Sequence, residues 1–123
     1  MIIVRWQGKA VNKNRRYRIA KVKGKHRQVK TDAYKEWLKD IGWTIKQATF
    51  KRYTTLVSVM ITAVLDPAAD HHNLVDVVLD ALEACGLVVN DRDVGAVVSL
   101  PPGRHKRRED DTIWLFIQEG EEA

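Results

Sequence analysis

The sequence predicts one small α+β domain, built from several strands and two principal helices. Its 123 residues suffice for a single hydrophobic core. Of these residues 45% are hydrophobic, which supports a packed interior and excludes a largely disordered chain. Apolar segments of period two are interspersed with two segments of three- and four-residue spacing, and neither an internal repeat nor a linker divides 1–123.

Ile2-Ile3-Val4-Arg5-Trp6 reads as a first strand ending near Gly8. Two short segments, 17–22 and 26–30, flank Lys23-Gly24-Lys25 and read as a basic hairpin. Thr31 or Asp32 can cap a helix, because a side-chain oxygen there accepts an unpaired first-turn N–H. Tyr34, Trp37, Leu38, Ile41, Ile45 and Ala48 then form one apolar face of a helix over 32–49, leaving Lys35, Lys39 and Lys46 off that stripe. A β-branched run over 56–64 predicts a strand that Asp66-Pro67 ends. A second helix is expected over 73–84, burying Leu74, Val77, Val78, Ala81, Leu82 and Cys85 and stopping at Gly86. Strands over 94–100 and 112–118 follow, joined by a charged hairpin connection that opens at Pro101-Pro102-Gly103. The acidic end, 118–123, is expected to fray. The tryptophans Trp6, Trp37, Trp43 and Trp114 are expected in the core, although an exposed one could stack on an unpaired base.

Charge is divided unevenly along the chain. The net charge is +5, but residues 1–55 carry 16 Lys and Arg against three acids, a local charge of +13. Residues 56–123 carry five basic residues against 13 acids, a local charge of −8. A basic front half suits a polyanion, which gains by releasing its condensed counterions. Acids beside such a ligand suit bound metal ions, so the pair of features matches metal-dependent phosphodiester chemistry; an ordinary solvated surface explains the charges equally well. One cysteine, Cys85, excludes a disulfide framework and any multi-cysteine zinc site. No apolar run reaches the ~20 residues of a membrane-spanning helix, and Met1-Ile2-Ile3-Val4-Arg5 does not resemble a secretory signal, so no membrane partner is expected. Neither a Walker loop nor a dinucleotide fingerprint is present, and no organic cofactor is expected.

The densest group of possible ligands is Asp70, His71, His72, Asn73, Asp76, Asp80, Glu83, Asp91 and Asp93. Asn73, Asp76, Asp80 and Glu83 share one helical stripe opposite the apolar face. Such a stripe is commonly just the wet side of a helix. Like charges at four-residue spacing nevertheless repel, and the group extends past the helix at both ends, which favours a cation nearby.

Asp70-His71-His72-Asn73-Leu74, Leu79-Asp80-Ala81-Leu82, Gly86 and Asn90-Asp91 together resemble the RusA-type Holliday junction resolvases, whose signature is roughly D-x-D-N-L-x-K, L-D-A-L, a glycine and a pair of acids. Asn12-Lys13-Asn14-Arg15-Arg16-Tyr17-Arg18 resembles the family's P-P-S-x-N-x-x-Y-R start without its prolines. The resemblance implies a mixed β-sheet with flanking helices and a homodimer that binds four-way (branched) DNA junctions. It further implies symmetric cutting of two strands with a divalent metal, Mg²⁺ or Mn²⁺, held by aspartates. Asp70 and Asp91 match the family's metal ligands, and Asn73 and Asp80 match positions that shape the helix start. It also implies a cytoplasmic location in a bacterial host, with phage or prophage genes a frequent source.

Two positions depart from the pattern: the second acid is His72 and the lysine is Asp76. These lie one helical turn apart, so a carboxylate has moved along the helix. The expected catalytic and metal-binding set is therefore Asp70, Asp76 and Asp91, with His72 as a nitrogen ligand or proton carrier. Imidazole suits Mn²⁺ and later metals better than Mg²⁺. Expected DNA contacts are Asn14, Arg15, Arg16, Tyr17 and Arg18, the hairpin residues Lys25 and Arg27, and Arg104, Lys106 and Arg107. The last group adjoins Glu109-Asp110-Asp111, so local ion pairing competes with phosphate contact there. A protein of the same scaffold that binds DNA without cutting it is the alternative.

Overall fold

The computed structural model describes residues 1–67, 74–106 and 110–123. Strand β1 (Ile2–Gly8) buries Ile2, Val4 and Trp6 and exposes the residues between them, as period-two alternation requires. A 3-10 turn (Lys13–Arg15) leads to a separate antiparallel hairpin, β2 (Tyr17–Val22) and β3 (Lys25–Lys30), most of whose residues are exposed. Lys23 and Gly24 between them have φ of 50° and 78°, the type I′ turn whose twist suits paired strands.

Helix α1 (Asp32–Ala48) starts at Thr31, whose hydroxyl accepts the Tyr34 N–H. It buries Tyr34, Trp37, Leu38, Ile41 and Ile45 of the expected stripe, whereas Ala48, the last helical residue, extends past the core and is exposed. Strand β4 (Leu56–Leu65), helix α2 (Leu74–Ala84) and strand β5 (Val94–Ser99) form a crossover unit, with β5 parallel to β4. Gly86, at φ +75°, lets its own N–H reach the Glu83 carbonyl and that of Leu87 reach the Leu82 carbonyl. Those two bonds close the end of α2 as a Schellman motif. Gly42 on α1 faces Cys85: a Cβ added there would lie 2.9 Å from the Cys85 Cβ, so glycine sets how closely this end of α1 approaches the end of α2.

The main sheet has the order β1-β7-β4-β5, where β7 (Asp111–Glu119) is antiparallel to both neighbours. It is therefore mixed, and the class is α+β. The expected hairpin between the last two strands does not form: β5 and β7 lie on opposite edges of β4. Pro101 and Pro102 carry no N–H and interrupt β5. The two-residue β6 (Gly103–Arg104) resumes parallel pairing on β4, with Val64 opposite Gly103 where Ile61 was opposite Ser99. Strand β7 takes an inner place because Ile113, Leu115 and Ile117 are all buried and need neighbours on both sides.

The tail 118–123, expected to fray, is tied down instead. Residues through Glu119 belong to β7, the Thr54 N–H bonds to the Glu121 carbonyl at 2.8 Å, and the Ala123 N–H bonds to the Arg52 carbonyl at 2.9 Å. Backbone hydrogen bonds thus hold the tail against 52–54.

Both helices pack on the sheet face carrying Val4, Ile61 and Leu115. Among the described residues no helix packs on the opposite face. Across it Ile3, Phe116, Met60 and Val98 form one cross-strand row without a charge. Trp6 and Trp37 are core residues, whereas Trp114 is half-buried and Trp43 is 65% exposed. Cys85 is half-buried, and burial pushes its thiol pKa up. Among the described residues no helix is long and apolar enough to cross a membrane.

Candidate functional site

The basic hairpin and the acidic helix meet at the hairpin's root. The Thr31 hydroxyl donates to the Arg15 carbonyl and the Thr31 N–H to the Arg16 carbonyl, tying the strand ends to the start of α1. Tyr17 lies against Tyr34 with ring centroids 5.5 Å apart. Lys30 sits 5.9 Å from the Tyr34 ring and 3.8 Å from Asp80 on α2. The Tyr34 hydroxyl donates to the same Asp80 carboxylate at 2.7 Å. Burial, followed by this bond to an anion, raises the Tyr34 pKa far above its ordinary value. Tyr34 is thus a fixed donor that anchors Asp80.

Arg16, expected among the phosphate contacts, is instead buried, with its guanidinium 5.7 Å from the centre of the Trp37 ring. Burial lowers its pKa, while Tyr34, Tyr17, Asp76 and Asp80 act in the opposite direction. The guanidinium therefore lies within electrostatic reach of Asp76 and Asp80 on α2. The acidic stripe has cations of this chain beside it, so mutual repulsion does not by itself demand a metal.

Asp76 is exposed in the first turn of α2. Asp91 is exposed in a 3-10 turn (Asp91–Asp93) that packs against α2 and is capped by Asn90, whose side-chain oxygen accepts the Arg92 N–H. Asp70, His71, His72, Asn73 and Arg107 lie outside the described residues. The described part of the expected metal set is therefore Asp76 and Asp91, and no group of three or more metal-binding side chains occurs among the described residues. Both are exposed carboxylates, the oxygen-donor type that Mg²⁺ and Mn²⁺ take.

Asn14, Arg15 and Arg18 are exposed near the root, Tyr17 is 38% exposed, and Lys25 and Arg27 lie exposed on β3. Arg104 and Lys106 are exposed beyond the end of β5. The neighbouring acids pair elsewhere: Asp110 lies 4.0 Å from Lys9, and Asp111 pairs with His105. Local neutralisation by Asp110 and Asp111 is therefore not what Arg104 and Lys106 meet.

Asp111 has a role that the sequence did not suggest. Its buried carboxylate accepts the Asp66 N–H at 2.7 Å, the Ala10 N–H at 2.9 Å and the His105 ring at 2.7 Å. It thereby joins three connections at one end of the sheet, one of which runs on from Asp66 towards Asp70. The two ring nitrogens of His105 face the Lys106 carbonyl and Asp111, and these acceptors, in that order, raise its pKa. A scan against protein-family models and a search of curated proteins return no match for this chain.

Proposed function

We propose that this protein is a metal-dependent, structure-selective DNA endonuclease that resolves four-way junctions as a symmetric dimer. The observation that carries this reading is the seating of an exposed cationic hairpin directly beside the acid-bearing helix, through Lys30, Tyr34 and Asp80. Tyr17 and Lys30 share the hairpin face turned to Tyr34 and Asp80, with Lys21 and His26 farther along it. A phosphate chain tracked on that face would approach Asp80 and, one helical turn away, Asp76, whereas Arg18, Lys25 and Arg27 would hold backbone on the opposite face. Asp76 and Asp91, with Asp70 and His72 contributed by the resemblance, would hold the metal. A divalent ion held by these residues would supply an acidified water and positive charge beside the phosphate. The exposed cations hold the backbone, and Tyr34 and Lys30 hold Asp80 in place. The uncharged row Ile3, Phe116, Met60 and Val98 is the surface a second copy would cover.

A synthetic four-way junction incubated with Mn²⁺ or Mg²⁺ tests the reading. Cleavage should be stronger with Mn²⁺ and reduced in His72→Ala; equal rates with both metals, or full activity in His72→Ala, count against His72 as a ligand. One observation favours the alternative of a DNA-binding protein without nuclease activity. Arg16 and Lys30 beside α2 offer the carboxylates countercharge without a metal. Tight junction binding with no cleavage in either metal would support that alternative.

A further inference from the structure

Helix α1 carries a second pattern on its outer side, away from the hairpin root. Lys39, Trp43 and Lys46 recur at intervals of four and three, about 6 and 4.5 Å along the axis, and Phe50 extends the series beyond the helix end. Cation and aromatic ring therefore alternate along one line. Trp43 is 65% and Phe50 93% exposed, a costly display for rings this large.

Two adjoining recesses lie along this line. One, of about 390 Å³, is lined by Leu38, Gly42, Trp43, Ala84 and Cys85, with Lys39 and Lys46 at its rim. The other, of about 120 Å³, shares Lys46 and Cys85 and adds Phe50 and Arg52. No acidic side chain lines either recess. The floor is apolar because Gly42 lets α1 approach Cys85 closely, and the rim is cationic.

We infer that this groove binds an unpaired nucleic-acid strand, with bases stacked on Trp43 and Phe50 and phosphates held by Lys39, Lys46 and Arg52. Charge complementarity calls for a polyanion. The alternation of ring and cation matches the alternation of base and phosphate in a single strand, whereas an acidic peptide has no repeating flat group to stack. Duplex DNA does not offer its base faces, so the two rings discriminate between strand types. The inference shares with the preceding reading only nucleic acid as the ligand, and needs no metal.

The test is the affinity of the full chain for a fluorescein-labelled twelve-residue oligothymidine and for a blunt duplex, by anisotropy in EDTA. Stacking is worth about five- to hundred-fold in affinity per base. Trp43→Ala and Phe50→Ala should each weaken oligothymidine binding at least about five-fold while leaving duplex affinity within about two-fold. Lys46→Glu should weaken the same binding. Unchanged circular dichroism and melting of the two ring variants, which remove exposed side chains, exclude misfolding as the cause. Trp43→Ala with wild-type affinity for oligothymidine overturns the inference. So does an acidic, aromatic-containing peptide that binds the wild type more tightly than oligothymidine and loses that binding in Trp43→Ala. If the wild type binds a four-way junction but not oligothymidine, the groove proposal fails and the endonuclease reading stands.

Discussion

Replacing Asp111 by alanine should damage this protein more than any exposed acid-to-alanine change. The side chain is 5% exposed, and its two oxygens accept backbone N–H groups from Asp66 and Ala10. Alanine leaves both donors without that acceptor, at about 1–3 kcal/mol each, or roughly 2–6 kcal/mol together. A domain of this size has an unfolding entropy of roughly 0.26 kcal/mol/K, so each kcal/mol moves the melting temperature by about 4 °C. Asp111→Ala should therefore melt roughly 8–24 °C below wild type by circular dichroism. Asp111→Asn keeps one oxygen acceptor and should fall between the two. Because Asp66 starts the connection that leads to Asp70, junction cleavage should fall in Asp111→Ala even at temperatures where the variant stays folded. A melting temperature within about 2 °C of wild type would show that water replaces the carboxylate at little cost and that Asp111 does not tie these connections together.

His105 gives a pH prediction with a definite sign. Its folded pKa is raised from 6.5 by the Lys106 carbonyl and Asp111, so its stabilising contribution is fully present below that unfolded value and is lost as pH rises through the folded one. The melting-temperature gap between wild type and His105→Gln should shrink across that rise; a gap constant from pH 6 to 9 would contradict it. Tyr34→Phe removes a hydrogen bond to a carboxylate that retains Lys30, and should cost about 1–2 kcal/mol in urea unfolding. No change in the urea midpoint would mean that Tyr34 does not anchor Asp80. Gly42→Ala gains about 1 kcal/mol of helix propensity but forces a contact of 2.9 Å on a Cβ that cannot rotate away, at a cost of about 1–3 kcal/mol, so a net loss of up to about 2 kcal/mol is expected. A stabilised variant would show that the helix ends separate easily.

Local periodicity made much of the fold legible. The apolar stripes of α1 and α2, the hairpin and the alternation of β1 and β7 are each written within a dozen or so residues. The side of β4 on which β5 and β7 lie is not local information, because both segments read as apolar strands. The proline pair interrupts pairing wherever it falls and does not tell a hairpin from a connection to the far edge of β4. Asp111 was hidden in the run Glu109-Asp110-Asp111, which reads as solvated charge. A signal was nonetheless present, since Asp111 is in phase with buried Ile113, Leu115 and Ile117. Trp43 likewise lies off the apolar stripe of α1. Arg16 gave no such signal: its burial depends on Trp37 and on acids of α2, which are distant in sequence. For the candidate site, the sequence indicated the acids and the basic hairpin separately, and the structure places Lys30 and Tyr34 between them.

Cleavage of a four-way junction, measured beside binding, separates hydrolysis from binding alone. Wild-type protein with Mn²⁺ should nick two strands symmetrically. Asp70→Asn and Asp91→Asn should bind the junction with near wild-type affinity while cutting it at least about a hundred-fold more slowly. Intact junction after incubation with wild-type protein in both Mn²⁺ and Mg²⁺, despite saturating binding, would contradict hydrolysis.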